Sequence, residues 1–188
     1  MSLKATIFKA RIELADMDRN LYGDYQVTIA RHPSETDERM MVRLLIFALN
    51  VPDTDEHGAL EFAKDLWEPD EPGLWQKDLI GHLENWIEVG QPDDKRLLKA
   101  DARSNRVTVY SFASSTSTWW SKMGGSLSRT KNLTIWQIPS EQSQQLANLA
   151  ERGMDLHVSV QEGTAWVSHG ERSVEITPVQ LFRSLQAH

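Results

Sequence analysis

The order of elements between Trp86 and Arg152 constrains this chain more than any other feature of its sequence. Trp86-Ile87-Glu88-Val89 is a β-rich apolar run, and residues 94–103 place Leu97 and Leu98 at helical spacing. A second apolar run at 107–112 is followed by a helical pattern at 115–122. A strand at 133–138 then leads to a helix at 140–152, capped by Ser140 and stopped by Gly153. Strands separated by helices cannot close as tight hairpins, so each helix must cross from one strand to the next. The expected result is an α/β fold with a mixed, partly parallel central sheet flanked by helices.

The flanking sequence adds α+β character. Residues 6–14 and 21–31 alternate apolar and polar positions on either side of the turn-forming Asp16-Met17-Asp18-Arg19-Asn20, an N-terminal antiparallel hairpin. Ser34 precedes an acidic first turn and the apolar pairs Met40/Met41 and Leu44/Leu45, which predicts a helix capped by Ser34 and stopped at Asn50-Val51-Pro52. The acidic middle is less regular, with strands expected at 59–66, 74–79 and 83–89, the last two joined through Gly81-His82. The tail at 156–160, 165–168 and 173–177 reads as a C-terminal antiparallel meander. With 188 residues and no linker or repeat, a single domain over 1–188 is expected.

Several function classes are excluded early. The chain has no cysteine, hence no disulfide, thiolate metal site or cysteine nucleophile. Its six histidines show no i, i+2 or i, i+4 pair, and no nucleophile elbow, phosphate-binding glycine loop or dinucleotide fingerprint is present. Met1-Ser2-Leu3-Lys4 opens no apolar leader, and no apolar run reaches membrane-spanning length, so the expected compartment is the cytoplasm.

The net charge of −7 conceals a segregation. Residues 50–94 hold thirteen acidic side chains against Lys64 and Lys77. The following segment holds Lys95, Arg96, Lys99, Arg103, Arg106, Lys122, Arg129 and Lys131 against Asp101 alone. Either the two blocks neutralise each other across the fold, or carboxylates hold a cation beside a basic surface that holds a polyanion. A nucleic-acid partner along the Lys95-to-Lys131 segment is therefore expected on the second alternative, with Lys95, Lys99 and Arg103 forming one row at i, i+4 spacing.

The acidic block contains a nuclease-like pattern. Asp78 ends one predicted strand and Glu88 lies near the end of the next, so an antiparallel register can set them close enough to share a magnesium ion. Such an ion polarises a phosphodiester and acidifies the attacking water, while a lysine stabilises developing charge. Two residues after the second acid, where that lysine would stand, this chain has Gly90. Lys95, one turn into the next helix, and Lys77 are the candidate replacement charges; Gln91 can orient a water, and Glu35 can add a third carboxylate. The competing assignment makes Glu35 a helix-start acid and the Lys95 row a solvated helix face. Trp119 and Trp120 are weighed the same way: stacking platforms for bases, or, more consistent with seven tryptophans in the chain, core.

Ala30-Arg31-His32-Pro33-Ser34-Glu35-Thr36, Trp86-Ile87-Glu88-Val89-Gly90-Gln91-Pro92-Asp93 and Leu97-Leu98-Lys99-Ala100 resemble the YaeQ family of bacterial proteins. Leu3-Lys4-Ala5-Thr6, Trp75-Gln76-Lys77-Asp78-Leu79 and Trp119-Trp120 extend the resemblance nearly end to end. It implies a restriction-endonuclease-like core, a variant of the PD-(D/E)XK superfamily. It also implies that Asp78 and Glu88 stand at the metal carboxylates and Glu35 at the accompanying helix acid. Gly90 departs from the superfamily's lysine, and at Pro72-Gly73 the acid that relatives carry after the proline is missing. Three roles follow: a magnesium-dependent nuclease or phosphodiesterase with a migrated lysine, a nucleic-acid-binding module without cleavage, or a protein-interaction module.

Overall fold

The computed structural model describes residues 4–187, so Met1, Ser2 and the motif residue Leu3 lie outside the described residues. The chain forms two compact units, each drawn from two stretches of sequence. Residues 51–139 with 179–188 make one unit; the residues on either side of that insertion make the other. The expectation of one domain over 1–188 thus meets a chain whose long insertion gathers around a sheet of its own.

The first unit is built on the hairpin β1 (Thr6–Asp16) and β2 (Leu21–Arg31), helix α1 (Asp37–Asn50), helix α4 (Ser140–Ala147) and the strands β8 (Gly153–Gln161), β9 (Thr164–His169) and β10 (Arg172–Ile176). Period-two alternation buries Phe8, Ala10, Ile12 and Leu14 on one face of β1 and Met154, Leu156, Val158 and Val160 on the same face of β8. The hairpin and the meander do not form separate sheets. β1 and β8 pair in parallel, Ile12 opposite Leu156, giving one five-stranded sheet in the order β10-β9-β8-β1-β2. The α1 cap also differs from expectation: Thr36 Oγ1 accepts from Arg39 N at 3.1 Å. Ser34 instead turns onto His32, whose Nδ1 accepts from Ser34 N.

The second unit carries the elements that define the candidate site. Its sheet runs β11-β7-β6-β5-β4-β3, comprising β3 (Leu60–Phe62), β4 (Leu74–Lys77), β5 (Leu83–Val89), β6 (Val107–Ser111), β7 (Leu133–Gln137) and β11 (Val179–Arg183). As the alternation of strand and helix requires, β5, β6 and β7 are parallel, with Trp86, Val107 and Leu133 in register. Helices α2 (Asp94–Arg103) and α3 (Thr116–Met123) make the crossovers. Trp86, Val107, Val109, Leu133 and Ile135 meet Leu97, Ala100, Met123 and Leu127 in its core, with Trp119, Trp120 and Phe182 packed against them. The two adjacent tryptophans are therefore packing groups: Trp119 Nε1 donates to Pro92 O at 3.0 Å, and Trp120 lies 5.8 Å from the Phe182 ring.

The expected strands at 59–66 and 74–79 are shorter, because the chain around Leu60–Phe62 breaks into a 3₁₀ turn at Asp65–Trp67 and β4 stops at Lys77. Gly58 explains how the chain passes the end of β4. At φ +95°, a Cβ there would stand 1.7 Å from Lys77 O, a space only glycine leaves free. β11, absent from the sequence reading, pairs antiparallel with β7 at the sheet edge. Among the described residues no helix is long and apolar enough to cross a membrane.

Candidate functional site

Glu88 sits on β5, the central parallel run, and its carboxylate is nearly buried. Burial drives its pKa above the ordinary carboxylate range, against the opposing charge and hydrogen bond of Arg96 and the hydrogen bond from Trp86. Trp86 Nε1 donates to Oε1 at 2.8 Å and Arg96 Nε donates to the same oxygen at 2.6 Å. Arg96 continues outward, giving Nη1 to Pro69 O at 2.5 Å and Nη2 to Glu71 O at 2.9 Å. One arginine from the first turn of α2 thus ties the end of β5 to the loop that leads into β4. Asp93 holds that turn in place, its side chain accepting from Arg96 N at 2.8 Å.

Asp78 lies elsewhere. It begins the tight turn between β4 and β5, where Oδ1 accepts from Ile80 N at 3.0 Å and His82 N at 2.8 Å. Burial works against its charge, but hydrogen bonds from the His82, Ile80 and Gly81 backbone outweigh it and hold its pKa below the usual carboxylate range. In the β4–β5 ladder Leu74 faces Ile87 and Lys77 faces Leu83. Continuing that register, the position opposite Glu88 is Gly73, and Asp78 is at the other end of the ladder. Five residues of strand separate Gly73 from Asp78, about 16 Å at ~3.3 Å per residue. Carboxylates that share a magnesium ion must each approach it to about 2.1 Å.

The expected sharing of one magnesium ion by Asp78 and Glu88 therefore does not fit this register. The residue that faces Glu88 has no side chain, and the Glu88 carboxylate is already engaged by a guanidinium. Among the described residues no group of three or more His, Asp or Glu side chains is placed to hold a metal ion.

The other candidates are placed as follows. Glu35 belongs to the first unit and precedes α1, where Arg43 Nε and Nη2 meet its two oxygens at 2.9 and 2.5 Å and Arg39 Nη1 reaches Oε2 at 2.5 Å. Both charge partners come from α1, so Glu35, which precedes the Thr36 cap and is not an N1 acid, anchors the helix entry. Lys77 Nζ lies 3.5 Å above the Trp75 ring, and Gln91 Nε2 donates to Ser115 Oγ at 2.8 Å. Lys95, Lys99 and Arg103 run along the exposed face of α2, with Arg103 5.1 Å from the Trp86 ring. Gly90 has φ +126°, a conformation that side-chain-bearing residues avoid, although the space beside it is open. A lysine at that position is opposed by backbone geometry and not by crowding.

Sequence reasoning missed Arg96. It chose Lys95, and one residue on a helix turns about 100°, enough to change a solvent-facing lysine for a strand-facing arginine. A readable signal existed in Asp93, whose capping preference fixes which side of the first turn faces the sheet.

The match to the protein-family model described as "YaeQ protein" spans residues 1–178. The chain is 39% identical over 178 residues to the "Uncharacterized protein YaeQ" of Salmonella typhi, covering 94% of this chain and 95% of that one. It is 38% identical to the protein of the same description from Escherichia coli K12, over the same shares. Crystal structures of YaeQ proteins superpose closely. That from Xanthomonas axonopodis pv. citri matches with TM-score 0.88 at 39% identity, over 98% of this chain and all of that one. That from Pseudomonas syringae matches with TM-score 0.87 at 35% identity, over 96% and 97%. End-to-end sequence similarity and a shared fold agree: the chain belongs to the YaeQ family.

Proposed function

We propose that this protein is a nucleic-acid-binding module that holds its ligand through the cationic face of the second unit and does not cleave it. The observation that carries the proposal is the state of the basic block. Lys95, Lys99, Arg103, Arg106, Lys122, Arg129 and Lys131 are all exposed. Among the described residues none of these seven forms an ion pair, and Arg96 alone of the block is spent on a carboxylate, Glu88. Lys95, Lys99 and Arg103 follow one another at about 6 Å along α2, at ~1.5 Å rise per residue, an extended row suited to a repeating anion such as a phosphodiester backbone.

Hydrolysis by a shared magnesium ion has weaker support, since the β4–β5 register, continued past Leu74 and Ile87, sets Gly73 opposite Glu88, and the glutamate is held by Arg96. Descent from a PD-(D/E)XK nuclease core is compatible with the mixed sheet and is part of the same proposal. The test is binding of labelled duplex and single-stranded oligonucleotides by fluorescence anisotropy over a range of salt concentrations, with and without magnesium. The expected result is metal-independent binding whose log K falls linearly with log salt, by about 0.9 per duplex phosphate neutralised. Lys95→Glu/Lys99→Glu/Arg103→Glu should flatten that slope by roughly three such steps. Metal-stimulated cleavage lost in Glu88→Gln would replace this conclusion with the nuclease.

A further inference from the structure

The β4–β5 turn presents Leu79 and Ile80 to solvent with relative exposures of 102% and 79%. Adjacent aliphatic side chains this open need a reason, and this turn is built firmly. Asp78 Oδ1 accepts from the Ile80 and His82 backbones, Gly81 N donates to Asp78 O at 3.1 Å, and Asp78 N donates to His82 O at 3.0 Å. Gly81 supplies the positive φ of +88° that such a tight reversal requires. The two side chains are therefore held out at the end of a braced ribbon.

On its α2 and β6 side that end of the sheet carries exposed cations. Leu83, where the ribbon leaves the turn, bridges Ser104 at the end of α2, and Asn105 N donates to Leu83 O at 2.8 Å. Trp86 N donates to Arg106 O, and Arg103 lies against the Trp86 ring. Lys131 is tied to the same corner: its N–H and that of Asn132 donate to the Asp101 carboxylate, and Asn132 Nδ2 donates to Ser104 O. Arg103, Arg106 and Lys131, all exposed, therefore surround the base of the ribbon. Of the acids nearby, Asp78 is hydrogen-bonded within the turn, Glu84 accepts from Asn105 Nδ2 at 3.0 Å and Asp101 from Lys131 N and Asn132 N, while the exposed Asp55 and Glu56 lie on the opposite, β3 side of the ribbon, beyond Gly58.

We infer that Leu79 and Ile80 form an apolar wedge that enters the minor groove of a DNA duplex held by these cations, partly unstacking a base step and bending the duplex. The inference rests on the nucleic-acid reading of the basic face. Its chemistry is that of architectural binders, in which one or two aliphatic side chains separate bases while neighbouring cations hold the backbone. A membrane is the less suited occupant. Leu79 and Ile80 together carry less hydrocarbon than one myristoyl chain, itself only a marginal anchor.

The test uses the full chain with a duplex labelled at both ends for energy transfer, alongside anisotropy to follow binding. Wild type should shorten the end-to-end distance on binding. Leu79→Ser/Ile80→Ser should keep the salt slope of binding yet leave the duplex straight. Arg103→Glu/Arg106→Glu should lose both responses. Salt-sensitive binding by wild type with no change in energy transfer overturns the wedge while leaving the basic face standing, as does bending that survives in the Ser/Ser variant. Absence of any salt-sensitive binding overturns both. Sedimentation with phosphatidylserine vesicles that depends on Leu79 and Ile80, without duplex bending, replaces DNA with a lipid surface. Because neither side chain is packed, the Ser/Ser variant should melt like wild type, which separates a lost function from a lost fold.

Discussion

Glu88 and Arg96 show how much of a site is decided by a single pair of side chains. Burial makes the Glu88 charge costly, and Arg96, about a third exposed, offsets only part of that cost, so removing Arg96 leaves the carboxylate with less compensation. Arg96→Met should cost roughly 1–3 kcal/mol by chemical denaturation, and also free the Pro69 and Glu71 carbonyls that Arg96 now holds. Glu88→Gln keeps an acceptor for both donors and should cost far less. The pH dependence has a definite sign. The folded-state pKa of Glu88 lies above its ordinary value of 4.5, so its contribution is fully present below about that pH and is lost as pH rises through the elevated folded value. Melting temperatures of wild type and Glu88→Gln should accordingly diverge upward from pH 4.5 in favour of the Gln variant. Gly90 gives a second residue-scale expectation. Placing a lysine there by Gly90→Lys should lower stability by roughly 1–3 kcal/mol, the range for a strained backbone position, and should not create metal-stimulated cleavage. A stable, cleaving Gly90→Lys protein would contradict both the geometry and the proposed function.

Helix α2 was legible in the sequence to its ends, and the reason is local: Asp93 caps it, and Leu97 with Ala100 supply its buried face. The start of α1 was less legible, because Ser34 and Thr36 are both competent caps within three residues. The structure selects Thr36 through its bond to Arg39 N, while Ser34 is drawn into the turn with His32. Thr36→Ala should therefore lower stability by about 1 kcal/mol, the usual worth of a cap, and Ser34→Ala by much less. Thermal melts of the two variants decide between them, and a larger loss at Ser34 would reverse the assignment. The β4–β5 ribbon was legible as a hairpin but not as a register. Gly81-His82 marked the turn, yet the irregularity between Gln76 and Lys77 lies outside any periodic signal. That register determines whether Asp78 or Gly73 faces Glu88.

At the scale of the whole molecule, the last strand returns to close a sheet built from the middle of the chain. β11 pairs with β7, and Ser184 just beyond it accepts from Leu133 N at 3.1 Å while sharing a hydroxyl contact with Thr130 at 2.7 Å. Ending the chain at Pro178 would remove the β11–β7 ladder and the Ser184 partner of Leu133 N, while Thr130 Oγ1 keeps its bond to Leu127 O. With about 0.5–1.5 kcal/mol per hydrogen bond of the ladder lost and about 2–4 °C per kcal/mol for a chain of this size, a fall in Tm of several degrees is expected. An unchanged Tm would mean that β11 contributes little to the second unit.

By itself the sequence determined what depends on neighbours a few residues apart: the strand–helix alternation, most helix limits, the parallel run from β5 to β7, the segregation of charge and membership of the YaeQ family. Only the tertiary structure decided which distant strands join and which side chains meet. β1 lies beside β8 across some 140 residues of sequence, and Glu88 is answered by Arg96 while Asp78 is turned back into its own loop. The physical reason is the same throughout. Periodicity and capping are set by the short-range geometry of the backbone, whereas register and charge pairing are chosen by the burial and desolvation of groups brought together only when the sheets assemble.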